Sequence, residues 1–382
     1  MPTWTGGTRA PAPWPPPGCD PATPLPTAQE LLARAVVVDL PLRTRFRGLD
    51  RREALVLRGP AGWAELAPFL EYDDEEAAWW LAAAVEAAWL GPPPPLRTEV
   101  PVNATVPAVP TGDVAAVIAR TPGARTAKVK VAEPGVPPAR SLAEDLDRVA
   151  AAREALGAGG RLRVDANGGW SPEQAERALT ALRAQGPLEY AEQPCADVAG
   201  LVALRARLAA AGVDVPVAAD ESVRRAQDPL AVVRARAADV AVLKVPPLGG
   251  GRAVLALAEL LRREHGVPVV VSSALDTAVG IAAGVRAAAA LPGLAHACGL
   301  ATGSLLARDV APPLVVSAGA LPVAEADRVL AGVDPADLEA LAAPPDRARW
   351  WADRLRRARS VLARSAPAGR PAHHPTTRPS PG

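Results

Sequence analysis

The sequence predicts an α/β protein whose main body is a closed barrel of parallel strands. Three observations point there. Eight apolar or β-branched runs follow one another from residue 101 onward, at 101–108, 126–131, 161–165, 187–192, 215–219, 239–244, 267–272 and, more weakly, 294–298. Helical stretches separate most of them, at 112–120, 141–156, 171–184, 198–211, 228–236, 250–265 and 276–290. Strands alternating with helices build a parallel sheet, and eight such units close it into a barrel. The third observation is negative: no glycine-rich dinucleotide fingerprint follows the first run, which disfavours the alternative, an open doubly wound sheet.

Ahead of the barrel, residues 28–100 read as helix, strand, hairpin and helix. Runs 36–40 and 53–57 are β-like, and Gly59-Pro60-Ala61-Gly62 is a turn. An Ala-rich helix is expected over 74–90, with Asp73, Asp74, Glu75 and Glu76 at the positive end of its dipole. Gly91 and the four prolines after it break that pattern and mark a linker. Residues 1–26 are rich in Pro, Gly and Thr, and 365–382 in Pro, Ser and Thr with His373-His374; both are expected to be disordered tails.

Composition excludes several functions. Of 382 residues 49% are apolar, enough for a sizeable core, and 42 basic residues balance 41 acidic ones. No basic patch with interleaved aromatics appears, so nucleic acid is not an expected partner. Cys19, Cys195 and Cys298 are widely spaced and form neither a disulfide framework nor a zinc motif. No apolar signal segment opens the chain, and the longest uncharged window, 287–307, is interrupted by Pro292, Gly293, Gly299 and Gly303. The expectation is a cytoplasmic protein without a membrane partner.

The lysines carry the first chemical signal. Only Lys128, Lys130 and Lys244 occur among the 42 basic residues; all the others are arginine. A guanidinium stays charged, whereas a crowded ammonium can lose its proton and act as a base. Lys128 and Lys130 lie two apart in a strand-like run and therefore share one face.

Strand tips carry the second. Asp165 ends the third run, Glu192 the fourth and Asp220 the fifth, 27 and 28 residues apart, about one βα unit each. Lys130 ends the preceding run and Lys244 the following one. Barrels place their active sites at the C-terminal tips of their strands. Three carboxylates gathered there need a cation, and an all-oxygen set selects a hard one, Mg²⁺, with Mn²⁺ as a substitute. Lysines flanking such an ion suit removal of a proton next to a substrate carboxylate. Weaker candidates surround this set. Arg163 shares the face of Asp165, with an ion pair as its equal alternative, while Asn167 and Gln193 are candidate orienters. Ser272, Ser273 and the Gly249-Gly250-Gly251 turn offer hydroxyl and amide donors for an anion. Glu189 and Glu221 fall off the face and are read as structural.

Taken together, Lys128-Val129-Lys130, Asp165, Glu192, Asp220 and Lys244 on successive strands resemble the enolase superfamily and its muconate-lactonizing subgroup. Asp165-Ala166-Asn167, Glu192-Gln193-Pro194 and Asp220-Glu221-Ser222 are most similar to the subgroup's o-succinylbenzoate-forming dehydratases of menaquinone biosynthesis. Leu42-Arg43-Thr44-Arg45-Phe46-Arg47-Gly48 and Val100-Pro101-Val102-Asn103-Ala104-Thr105 are similar to the actinobacterial ones. The resemblance spans about residues 28–360. It implies a (β/α)7β barrel over 101–308, capped by an α+β domain from 27–100 and 309–364. It also implies Mg²⁺ on Asp165, Glu192 and Asp220, with Lys130 as base and Lys128 lowering the proton affinity of Lys130. Lys244 would stabilise the enediolate, partly through the substrate ring, and Arg45 and Phe46 would touch the substrate from the cap. The implied reaction is dehydration of 2-succinyl-6-hydroxy-2,4-cyclohexadiene-1-carboxylate, a small-molecule carboxylate, to 2-succinylbenzoate. N-succinylamino-acid racemisation, or another reaction of the muconate-lactonizing subgroup, by the same machinery is the alternative, and a non-catalytic ligand-binding barrel a remote one. Dipeptide epimerisation is disfavoured because 294–304 lacks the acidic pair that holds an ammonium.

Overall fold

The computed structural model describes residues 12–46, 48–224 and 228–365. Residues 1–11 and 366–382 of the two expected tails, and Arg47, lie outside these. Residues 12–26 contain no helix or strand, yet they are not a loose tail. Ala12 and Trp14 are buried, and Trp14 Nε1 donates to the Thr23 carbonyl at 3.2 Å. A large indole gains more by burial than a Pro-stiffened segment loses in chain entropy.

The capping unit starts with α1 (Ala28–Leu32), whose Thr27 and Glu30 form a capping box. A three-stranded antiparallel sheet follows in the order β1 (Ala35–Phe46), β2 (Leu49–Gly59), β3 (Gly62–Leu66). Both hairpin strands run further than their apolar centres suggest, and the extension carries Phe46 out to the barrel mouth. Next comes α2 (Asp74–Val85), capped by Asp73 through the Glu76 amide at 2.7 Å. Every residue from Ala77 to Val85 in α2 is buried, as expected of a helix that is apolar all round. A π-helical turn, Glu86–Leu90, ends it before the proline linker.

After β4 (Glu99–Pro101), the barrel is laid down as β5 (Ala104–Val106), α3 (Val114–Ala119), β6 (Thr126–Lys130), α4 (Pro138–Leu156), β7 (Arg161–Asp165), α5 (Pro172–Ala184), β8 (Tyr190–Glu192) and α6 (Val198–Ala210). It continues through β9 (Val217–Ala219), α7 (Glu221–Arg224), α8 (Ala231–Arg234), β10 (Val240–Leu243), α9 (Gly251–Leu260), β11 (Val269–Val271) and α10 (Ala278–Ala290). Seven strands, β5 to β11, form one curled parallel sheet in sequence order. The weak eighth run does not become a strand. Cys298 bridges Val102 and Gly299 bridges Ser272, so two residues join the sheet's edges. Pro292, Gly293 and the alanines around His296 supply few of the β-branched side chains that favour a longer ladder. The helix expected over 228–236 contracts to the single turn of α8.

The chain then returns through β12 (Ala320–Pro322), antiparallel to β4, followed by α11 (Val323–Ala331), α12 (Pro335–Ala340) and α13 (Pro345–Leu362). α13 packs on α2. Its Arg347 grips Glu53 of β2 at 2.8 and 2.6 Å, and Trp351 Nε1 reaches the same carboxylate at 2.7 Å. One apolar cluster fills the barrel wall and another, around Trp79, Trp80 and Trp351, fills the cap. Among the described residues no helix is long and apolar enough to cross a membrane.

Glu86 fastens the cap to the turn after β10. Its Oε1 accepts the Arg252 amide at 3.1 Å, while Oε2 is buried without a hydrogen-bond partner. Gly250, at φ +124°, leaves room for it: a Cβ there would lie 2.3 Å from Oε2. Burial pushes the Glu86 carboxyl up from its ordinary 4.5 to about 7, against the pull of Arg252. The folded state thus holds this proton more tightly than the unfolded chain. Its contribution is full below about pH 4.5 and is lost as pH rises through 7. Glu86→Gln is therefore expected to show a smaller fall in melting temperature between pH 5 and pH 8 than the parent protein, measured by circular dichroism. An equal fall in both would refute this.

Candidate active site

Parallel register brings the strand-tip residues side by side. Lys130 pairs with Asp165 across β6 and β7, and Asp165 with Glu192 across β7 and β8. Asp220 follows β9 and Lys244 follows β10. The five residues expected at one mouth are there, and Lys128 lies one inward step below Lys130.

Each carboxylate is met by a lysine. Lys128 Nζ donates to both oxygens of Glu192, at 2.7 and 2.8 Å, and stands 3.2 Å from Asp165 Oδ2, so it bridges the two acids. Lys130 Nζ reaches Asp165 Oδ2 at 2.5 Å and Asn167 Oδ1 at 2.7 Å. Lys244 Nζ donates to Asp220 Oδ2 at 2.6 Å. The carboxylates are at most 1% exposed. Burial at this depth demands that opposite charges be paired, because an isolated ion would lose several kcal/mol of hydration.

Electrostatics separate the members. Lys128 is held protonated well above the usual lysine range: burial opposes its charge, but Glu192 and Asp165 outweigh burial. It is therefore a fixed cation, and its charge is spent on those acids. Asp165 is driven far below the carboxylate range, where Lys130 and Lys128 overcome desolvation. Glu192 moves the other way, to about 7, through burial first and the Asp165 charge second, with Lys128 opposing.

The donor set decides whether a divalent cation fits. Among the described residues no three His, Cys, Asp or Glu side chains are gathered closely enough to hold an ion by themselves; ammonium groups lie among them. Even so, Asp165, Glu192 and Asp220 are all buried on neighbouring strand tips, and each offers carboxylate oxygens to the same mouth. Three all-oxygen donors on adjacent strand tips are the donor set a hard cation takes. The residues fit.

Asn167 and Gln193 are orienters in geometry. Both take left-handed backbone, φ +45° and +38°, which turns their side chains back on the rim. Gln193 Oε1 accepts from the amides of Asp220 and Ser222, at 3.0 and 3.1 Å, and fixes that turn. Ser272 and Ser273 line a cavity of about 20 Å³ together with Thr105, Lys128, Lys130, Asp165 and Lys244. Phe46 and Leu275 close it, with the Phe46 ring 5.3 Å from Lys130 Nζ. Outside it lies a mouth of about 490 Å³ bordered by Thr44, exposed Arg45, Phe46, Lys130 and Asn167.

Two expected contacts fall elsewhere. Arg163 points into the barrel below the site, where it bonds Glu189 at 2.5 Å, Asn103 Oδ1 at 3.1 Å and the Ala297 carbonyl at 2.7 Å. Its equal alternative, an ion pair, is the one realised; Glu189 offers a charge within reach, and a buried guanidinium needs one. Gly249 spends its amide on the Pro246 carbonyl at 3.1 Å, and the carboxylate taken by this turn is Glu86. Sequence reading passed over Thr105, Leu275 and Thr302. Thr105 lies in the middle of the run 101–108, so the strand-tip rule did not reach it; Leu275 comes from a loop and Thr302 opens a short 3-10 turn, neither of which carries such a signal.

Comparison with known proteins bears on this geometry. The family described as Enolase C-terminal domain-like matches residues 113–327, and Enolase N-terminal domain-like matches 37–88. The o-succinylbenzoate synthase of Mycobacterium tuberculosis is 56% identical over 341 residues, covering 89% of this chain and 98% of that protein. That of Mycobacterium leprae is 55% identical over 338 residues, 88% of this chain and 95% of its own. Among solved structures, muconate lactonizing enzyme from Pseudomonas fluorescens complexed with muconolactone superposes with a TM-score of 0.66 at 24% identity, over 81% of this chain and 98% of that one. The last likeness speaks for the fold alone. The chain belongs to the enolase superfamily and, within it, to the o-succinylbenzoate synthase family.

Proposed function

We propose that this protein is a divalent-metal-dependent hydro-lyase that converts 2-succinyl-6-hydroxy-2,4-cyclohexadiene-1-carboxylate to 2-succinylbenzoate and water. The observation that carries the reading is 56% identity to a curated o-succinylbenzoate synthase over 98% of that protein's length. Strand-tip lysines and carboxylates arranged side by side support it independently. In this reading the cation is Mg²⁺, held by Asp165, Glu192 and Asp220. When bound, it supplies positive charge beside the substrate carboxylate as negative charge builds there.

Lys130, as the neutral amine, takes the proton from the carbon bearing the carboxylate, and the C–H electron pair moves into that carboxylate as an enediolate. The C–O bond on the neighbouring ring carbon then breaks. Its hydroxide leaves with the proton from Lys130, which restores the amine and makes the ring aromatic. Asn167 orients Lys130 through its 2.7 Å bond. Lys244 places its ammonium against the developing charge, and Lys128 keeps Glu192 and Asp165 in position. A ring substrate does not fit in about 20 Å³. Phe46 must swing away so that the inner cavity joins the mouth, which places the β1–β2 hairpin tip against the bound ring.

The purified protein with Mg²⁺ is expected to remove the diene absorbance of this substrate. Absence of turnover, with racemisation of N-succinylamino acids instead, would replace the assignment with the racemase reading.

A further inference from the structure

Asp220 is gripped on both oxygens. Lys244 takes Oδ2, and Arg224 Nε donates to Oδ1 at 2.9 Å. Arg224 closes α7, and its side chain is 2% exposed. The same guanidinium donates from Nη1 to the Tyr72 hydroxyl at 2.7 Å and from Nη2 to Glu221 Oε1 at 2.5 Å. A planar fork with three acceptors in three directions fixes all of them at once, which an ammonium does not do.

The two outer acceptors lead to different places. Tyr72 belongs to the cap, just before α2. Arg354 of α13 holds its carbonyl at 2.6 Å, and its ring packs edge-on against Phe69 and Trp80. Glu221 Oε1 also faces Asn167 Nδ2 at 3.4 Å, and Asn167 in turn holds Lys130. One buried arginine therefore joins the cap, a candidate metal ligand and, through Glu221 and Asn167, the candidate base. Glu221, one residue beyond the strand-tip acid, is drawn into this network rather than pointing clear of it.

We propose that Arg224 is a positioning residue of the cation site: by holding Oδ1 of Asp220 it fixes the carboxylate so that Oδ2, which Lys244 holds in this structure, is the oxygen presented to the mouth where the ion binds. Tyr72 makes that hold depend on the cap being seated on the barrel. This rests on Asp220 being a ligand. A carboxylate pinned through one oxygen cannot rotate to offer the other, so less ordering remains to be done when the ion binds. Groups of this kind are worth about 10- to 100-fold in metal affinity. A guanidinium that merely neutralised buried acids would be replaceable by any cation.

The test is calorimetric titration of the metal-free full chain with Mg²⁺, with circular dichroism melts showing that each variant is folded. Arg224→Lys keeps the charge and loses the fork; it is expected to weaken Mg²⁺ binding by about 10- to 100-fold. Tyr72→Phe keeps the ring and removes only the hydroxyl, and should weaken binding severalfold. A folded Arg224→Lys whose Mg²⁺ affinity matches the parent overturns the proposal, because charge alone would then suffice. Should Arg224→Lys not fold, unchanged affinity in Tyr72→Phe overturns it. Asp220→Asn separates the premise: parental affinity in that variant shows that Asp220 is no ligand, whereas lost affinity there with an unaffected Arg224→Lys removes only the role of Arg224.

Discussion

Lys130→Arg is expected to be nearly as inactive as Lys130→Ala, with turnover of the cyclohexadiene substrate down by about 10²- to 10⁴-fold, the usual worth of a positioned base. The reason is the proton. A guanidinium preserves the charge facing Asp165 at 2.5 Å and Asn167 at 2.7 Å, so a purely structural lysine would tolerate the change. A base would not, because arginine does not release its proton in proteins. Lys130 is also 13% exposed at its side chain, against 8% for Lys128 and 6% for Lys244, so it is the most accessible ammonium of the three. Single-turnover absorbance measurements on both variants decide the matter. Retention of more than a tenth of parental activity by Lys130→Arg would remove Lys130 from the role of base.

Glu192→Ala should cost both the metal and the fold. Its carboxylate accepts two bonds from Lys128 in a buried setting, and removal of one partner of a buried ion pair typically costs about 3–5 kcal/mol. Urea denaturation should therefore show a clear loss of midpoint. Glu192→Gln keeps the volume and one acceptor, so it should recover much of that stability. It should still bind Mg²⁺ more weakly, because a neutral amide is a poorer partner for a hard dication than a carboxylate. Calorimetric Mg²⁺ titration of Glu192→Gln isolates the second effect. Parental affinity in that variant would show that Glu192 serves only to neutralise Lys128.

Much of the site was legible because it lies on regular elements. The separations of 27 and 28 residues between Asp165, Glu192 and Asp220 reflect whole βα units, and parallel register then aligns their tips. Period-two alternation likewise placed Lys128 and Lys130 on one face. Residues away from strand tips were not legible in this way. Arg163 occupies the right strand face, but one layer lower the charge within its reach is Glu189, not a substrate. Gly249 lies in a donor-rich turn, yet the carboxyl group that fills it comes from Glu86, 163 positions earlier in the chain.

Lysine scarcity and strand-tip spacing, together with the rhythm of strands and helices, were enough from sequence alone to predict seven of the barrel's strands and the gathering of three acids and three lysines at its mouth. These features repeat over short distances, where backbone geometry converts spacing directly into direction. Only the tertiary structure decided how the cap meets that barrel. The Phe46 ring over Lys130, Glu86 in the glycine turn and Tyr72 on Arg224 are long-range meetings, set by which surfaces pack together. No local periodicity encodes them, because packing depends on the shape and charge of both partners at once.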